Sequence, residues 1–132
     1  MYPPADAAFN RLVPVSRPPV VLGGDLNIAH TSRDIFYAKP NERTSGFLPH
    51  EREWFGRFLG CGWDDFVREQ AGAIQGPYSW SNRGKARELD RGWRIDYLLG
   101  NRAAARRFRS ASILREGGLA ISDHAPVTIE LE

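Results

Sequence analysis

Cysteine is almost missing from this chain: Cys61 stands alone among 132 residues. A single thiol makes no internal disulfide and fits a reducing compartment. Long apolar runs are missing as well, and none approaches the ~20 residues of a membrane span. The opening, "MYPPADAAFNRLVPV", has neither the basic start nor the apolar stretch of a secretory signal. Neither sign of charge dominates, with 18 basic and 16 acidic residues giving a net +2. Together these features speak against a disulfide-stapled domain and a membrane-spanning helix. A soluble cytoplasmic protein with no membrane partner is expected.

What is present suits one domain. An apolar fraction of 42% can build a core, and 132 residues are too few for two domains. Proline is concentrated at one end: Pro3, Pro4, Pro14, Pro18 and Pro19 are five of the nine. Proline fixes φ and removes a donor, so residues 1–17 are expected to be irregular, with the folded domain over 18–132. Nine of the 18 basic residues lie between Arg83 and Arg109. That run is either a solvated surface or a face that contacts phosphates.

Val20-Val21-Leu22, ending in Gly23-Gly24, reads as a buried strand and a turn. Residues 29–47 read as a polar loop. Pro49 opens a helix with Glu51 and Glu53 in its first turns and an apolar stripe of Trp54, Phe55, Phe58 and Leu59; Gly60 and Gly62 end it. Phe66-Val67, Tyr78-Ser79-Trp80, Arg94–Leu99, Ser110–Leu114 and Ala125–Leu131 read as strands, with Gly117-Gly118 as punctuation and a short helical turn near Ala103–Arg107. The class is α/β, a mostly antiparallel sheet with helix cover.

Three short motifs carry chemistry. "GGDLN" places Asp25 and Asn27 two apart at a strand end, where they can orient a water or close an ordinary Asx turn. "WRIDYLL" puts Asp96 in an apolar strand, which is costly without a partner such as Arg94 or an imidazole. "SDH" offers that imidazole. An Asp–His pair fixes the ring and raises its basicity, and Asp123 beside His124 is an oxygen ligand for a hard cation such as Mg²⁺. These residues at three strand ends suit metal-assisted phosphodiester hydrolysis, unless each is merely satisfied locally. His30 and His50 read as surface residues.

In order and spacing, "VVLGGDLNIAHT", "SGFLPHEREWF", "GPYSWSNRGKARELDRGWRIDYLL" and "SDHAPV" resemble the exonuclease III (AP endonuclease) branch of the endonuclease/exonuclease/phosphatase superfamily. The resemblance covers residues 18 to 132. It implies the second half of a DNase I-like four-layer α/β sandwich. It implies a Mg²⁺- or Mn²⁺-dependent hydrolase of DNA repair, acting as 3′–5′ exonuclease and AP endonuclease. Its partner would be double-stranded DNA with abasic or 3′-blocked ends. Asp25, Asn27, Asp96 and His124 would be catalytic. Asp123, with Asp25 and Asn27, would hold the metal. Trp93 would match a wall of the abasic-sugar pocket or be a core Trp, and Trp80 is read as packing. Arg83, Lys85, Arg87 and Arg94 would grip backbone phosphates independently of sequence.

The resemblance also implies what is missing. The family's first half carries an Asn, the Glu of a "QE" motif that is the main metal ligand, and a Tyr, and residues 1–19 supply none of them. The expectation is therefore weak metal affinity and an uncovered sheet face, calling for a first-half polypeptide or a second copy of the chain. A non-catalytic DNA-binding remnant is the alternative, and another phosphodiesterase of the superfamily is a third reading. Many relatives read "WWS" where this chain has "YSWSN", one aromatic fewer.

Overall fold

The computed structural model describes residues 18–81 and 85–132. The irregular segment expected over 1–17, and Arg83, lie outside the described residues. Strand β1 is Val21–Asp25, β2 is Asp64–Asp65, β3 is Asp96–Gly100, β4 is Phe108–Ile113 and β5 is Val127–Leu131. Helix α1 is Pro49–Leu59, α2 is Phe66–Ala71, α3 is Arg102–Ala105 and α4 is Arg115–Ile121. All strand pairs are antiparallel. One sheet runs β1-β3-β2, and β4 pairs with β5 in a second, two-stranded sheet.

Helix α1 forms where the sequence marks it. Pro49 sits in the first turn, and the Glu51 carboxylate accepts from the backbone N–H of Gly46 at 2.7 Å and Leu48 at 3.0 Å. Those amides open the helix, and the carboxylate also suits its positive end. Phe55 and Phe58 point inward and meet Trp63, Tyr97 and Leu99. Tyr97 and Leu99 alternate on one face of β3, so α1 covers that face. Each ring buried this way contributes on the order of 2 kcal/mol. A second cluster joins Phe66, Val67, Ala104 and Ala111, with Phe66 stacked on Phe108 at 4.6 Å. Gly100 is required there, because a Cβ would collide with the Phe66 ring. A third cluster, Ala29, Ile35, Phe47 and Ile95, lies beneath Trp80 and Trp93.

Several local expectations are corrected. Phe66-Val67 opens a helix rather than forming a strand, because the Asp65 side chain caps it, accepting from Arg68 N–H at 3.3 Å. Gly117 and Gly118 lie within α4 rather than between elements. Tyr78-Ser79-Trp80 makes isolated bridges, Trp80 to Trp93 and Trp80 to His124, and no continuous strand. His30 is half-buried, not a surface residue. Its ring lies 4.9 Å from Phe55, and burial pushes its pKa down.

Arg94 is the largest correction. It is fully buried and reaches no phosphate. Its guanidinium pairs with Asp65 through two bonds of 2.8 and 2.7 Å and with Asp34 through one of 2.8 Å. Arg68 joins the same Asp34 oxygen at 2.6 Å. A buried cation is tolerated only when paired this fully. Burial disfavours its charge, but the Asp65 hydrogen bonds and charge outweigh that and raise its pKa. The network ties the loop at Asp34, the end of β2 and the entry to β3 into one unit.

Candidate active site

The register of the main sheet begins the site. β1 and β3 pair so that Asp25 lies directly opposite Asp96. Opposed residues of an antiparallel pair project to the same face, so the two carboxylates are neighbours. A Cβ at Gly23 would come within 2.7 Å of the Leu98 side chain, which would have to turn aside.

The chain then turns. Asn27 has φ +54°, a left-handed conformation that Asn tolerates better than most residues. Its N–H donates to Asp25 Oδ1 at 2.8 Å. The ordinary Asx turn is therefore real, but it uses one carboxylate oxygen and leaves the other. Asp25 Oδ2 lies 4.0 Å from His124 Nε2. The buried Tyr97 hydroxyl lies 2.7 Å from the Ile28 carbonyl and 2.9 Å from that of Arg94, fastening this turn to the start of β3.

His124 enters from the other sheet, just before β5. Its Nδ1 lies 2.9 and 3.1 Å from the two Asp96 oxygens. A carboxylate only accepts, so Nδ1 carries the proton and Nε2 faces outward. Asp123 Oδ1 is 4.0 Å from Nε2. Burial lowers the His124 pKa, but the Asp96 hydrogen bond and charge, then the charges of Asp25 and Asp123, outweigh it. The net shift is upward.

Ser79 holds the two sheets in relation. Fully buried, its Oγ accepts from Ile95 N–H at 2.9 Å and Asp96 N–H at 3.0 Å. Its carbonyl accepts from Ala125 N–H at 2.7 Å. One residue thus grips the segments that carry both members of the His124–Asp96 pair. Motif reading passed it over because a serine in an apolar stretch carries no chemical signature of its own.

Asp25, Asp96 and His124 each bring one ligand atom within 4.8 Å of one another, a group that can hold a metal ion. The carboxylates supply the oxygen donors a hard cation takes, so the residues fit one. Both Asp96 oxygens are already engaged by Nδ1, which leaves Asp25 Oδ2 and Asp123 Oδ1 as the open donors on the Nε2 side. Asp123 stands beside the three-residue group rather than within it.

Beside His124 opens a cleft of about 970 Å³. Asn27, Trp80, Trp93, Ile95 and Lys85 line it along with His124. Trp93 is one of its walls. Trp80 lines the cleft too and packs edge-on against Trp93 at 6.2 Å. Gly46 keeps this corner tight. It has φ +99°, and a Cβ there would press on the Asn27 carbonyl and the Trp93 ring. Lys85 and Arg87 are exposed. The Arg87 guanidinium donates to the Ser81 carbonyl at 2.9 Å.

The pattern of the Endonuclease/Exonuclease/phosphatase family matches residues 4–124. The chain belongs to that family. Within it, an exodeoxyribonuclease of Bacillus subtilis is 41% identical over 112 residues, which are 84% of this chain and 44% of that protein. The DNA repair nuclease APEX1 of Danio rerio is 37% identical over 117 residues, 88% of this chain and 37% of the other. Among solved structures, an AP endonuclease from Archaeoglobus fulgidus superposes with TM-score 0.86 at 24% identity, and this likeness bears on the fold alone. It covers 95% of this chain and 50% of the other. A 3′ phosphatase from Neisseria bound to a product DNA hairpin gives TM-score 0.80 at 27% identity, with 95% and 49% covered. This member of the Endonuclease/Exonuclease/phosphatase family thus spans less than half the length of those two curated relatives. Its fold is the DNase I-like α/β arrangement of these neighbours, with antiparallel sheets and helices.

No helix among the described residues is long and apolar enough to cross a membrane.

Proposed function

We propose that this chain carries the Asp–His part of a DNA phosphodiesterase site of base-excision repair. One observation supports this best. Asp25 and Asp96 lie opposite each other in register, and His124 is held on Asp96 at the mouth of a cleft walled by two tryptophans. The names of the relatives, exodeoxyribonuclease and DNA repair nuclease, point to the same substrate class.

The geometry supports a role for each residue. Asp96 accepts from Nδ1 and fixes the ring. The raised pKa keeps His124 protonated to higher pH, so Nε2–H can bond a non-bridging oxygen of the scissile phosphate. Asp25, whose second oxygen faces that position, takes the proton of the attacking water or passes one to the leaving oxygen. Asn27, fixed by its turn, holds the phosphate in place. A divalent cation such as Mg²⁺ or Mn²⁺, held by Asp25 and Asp123, would neutralise charge on the phosphate oxygens. Trp80, Trp93 and Ile95 offer an apolar wall to a sugar that lacks its base, selecting abasic sites and excluding normal nucleotides. Lys85 and Arg87 would contact backbone phosphates, and Arg83 with them. The setting is the reducing cytoplasm.

A second observation favours activity in company rather than alone. Every residue of β1 is exposed, and among the described residues no helix packs on the face bearing Asp25, Asp96 and Leu98. A polypeptide equivalent to the family's first half would cover it.

The deciding experiment incubates purified chain with Mg²⁺ and an abasic-site duplex, with and without such a polypeptide. Cleavage at the abasic site that disappears in Asp25→Asn and His124→Ala is expected. Cleavage that survives both substitutions refutes the assignment, and full activity of the lone chain refutes the need for a companion.

A further inference from the structure

The cleft exceeds what the reacting group requires. At about 970 Å³ it sits at the top of the range for small-molecule sites, roughly 300–1,000 Å³. A sugar phosphate placed among His124, Trp80 and Trp93 fills only one end. Phe36, Tyr37, Leu89 and Arg91 are among the residues that line the rest. Phe36 is 39% and Tyr37 50% exposed, and neither belongs to a core cluster. The two rings meet edge to face at 4.6 Å.

The pair is held in place. Arg91 Nη1 donates to the Tyr37 hydroxyl at 3.0 Å, and its guanidinium lies 5.1 Å over the Phe36 ring. Phe36 N–H donates to the Gly92 carbonyl at 2.9 Å, and Ile35 bridges to Trp93. The rings therefore continue the wall that Trp93 begins.

We propose that Phe36, Tyr37 and Arg91 form a stacking platform for an unpaired nucleobase of the strand whose phosphate lies at His124. The His124 end of this statement rests on the nuclease reading; the platform itself is argued from the cleft. Aromatic rings beside a cation fit a nucleotide better than an apolar peptide, because a base offers a π-face and its phosphates meet Arg91 and Lys85. Any base will serve, since all have such a face, so binding is tolerant of sequence. The base must be unpaired, because pairing and stacking within a duplex hide its faces. The chain should then prefer strands with single-stranded or frayed nucleotides beside the bound phosphate.

The test reads binding, so it does not depend on turnover. A short single-stranded deoxyoligonucleotide carrying one 2-aminopurine is titrated with the full chain in EDTA, and quenching of the probe reports stacking. Wild-type protein quenches it. Tyr37→Ala weakens affinity roughly tenfold and relieves quenching, while Tyr37→Trp retains both. Phe36→Ala does likewise, with unchanged far-UV circular dichroism excluding misfolding. A duplex of the same sequence binds without quenching. His124→Ala keeps the quenching, so loss of cleavage and loss of stacking separate. The proposal is overturned if the oligonucleotide does not bind, or if Tyr37→Ala and Phe36→Ala both leave affinity and quenching unchanged.

Discussion

At the candidate site, both Asp96 oxygens and one Asp25 oxygen hold hydrogen bonds. Asp96 spends both of its oxygens on Nδ1, so its role is to orient and charge the imidazole. Replacing it with Asn removes the largest of the contributions that raise the His124 pKa. The imidazole C–H resonances of Asp96→Asn, followed by NMR across pH, should titrate at lower pH than in the parent. An unmoved midpoint would show that the pair does not couple. For stability the sign is fixed: a raised folded pKa contributes below the unfolded value near 6.5 and is lost as pH rises through the folded one. The pair thus stabilises the fold on the acid side of neutrality. Ser79 acts one step further out. Ser79→Ala leaves the buried amides of Ile95 and Asp96 without their acceptor, at about 1–3 kcal/mol each. Ser79→Thr keeps the hydroxyl and should restore protection of both amides in hydrogen exchange. Equal exchange in the Ala and Thr variants would deny Ser79 its positioning role.

At the scale of elements, the Arg94 network joins three segments distant in sequence. Burial raises the Asp34 pKa, but the charge and hydrogen bond of Arg94, and then Arg68, overcome this and hold the carboxyl at about 2. A depressed folded pKa contributes above the unfolded value near 3.8 and is lost as pH falls toward 2. That contribution is roughly 2 kcal/mol. Arg94→Met strands Asp65 and leaves Asp34 to Arg68 alone, and should lower stability by about 3–5 kcal/mol in urea unfolding at neutral pH, a deficit that shrinks as pH falls and the carboxyls protonate. An effect under 1 kcal/mol would mean the carboxylates find other partners. Helix α1 was legible because its signals are local: Pro49, early Glu residues and a stripe at helical spacing. The Asp25–Asp96–His124 grouping was legible because motif order carried it. Arg94 was not, because its partners Asp34 and Asp65 are 60 and 29 positions away and no periodicity marks them. Phe66-Val67 misled because both residues favour strands, and the deciding feature was the cap from the preceding Asp65.

For the whole molecule, the telling fact is that, among the described residues, helices cover one face of the main sheet. Tyr97 and Leu99 meet α1, while Asp96 and Leu98, on the opposite face, are only half-buried. Val21 and Gly23 share that open face with Asp25, and Val21 is 39% exposed. A shallow groove there, about 350 Å³, is lined by Asp25, Asp96, Leu98, Val127 and His124. Its apolar part is therefore continuous with the candidate catalytic residues. A polypeptide laid on this face would bury apolar surface and expel water from around His124 at once, strengthening every charge interaction in the site. On the proposed function, covering and catalysis would thus be coupled by position. Cleavage of an abasic duplex at fixed chain concentration should rise hyperbolically with added first-half polypeptide. Val21→Asp, on the same face but away from the His124 pair, should raise the half-saturating concentration about tenfold or more and leave the plateau rate unchanged. It should also leave the NMR titration of His124 in the lone chain where it was. A plateau that falls while half-saturation stays fixed would mean that Val21 acts on the chemistry and that the open face is not where the companion binds.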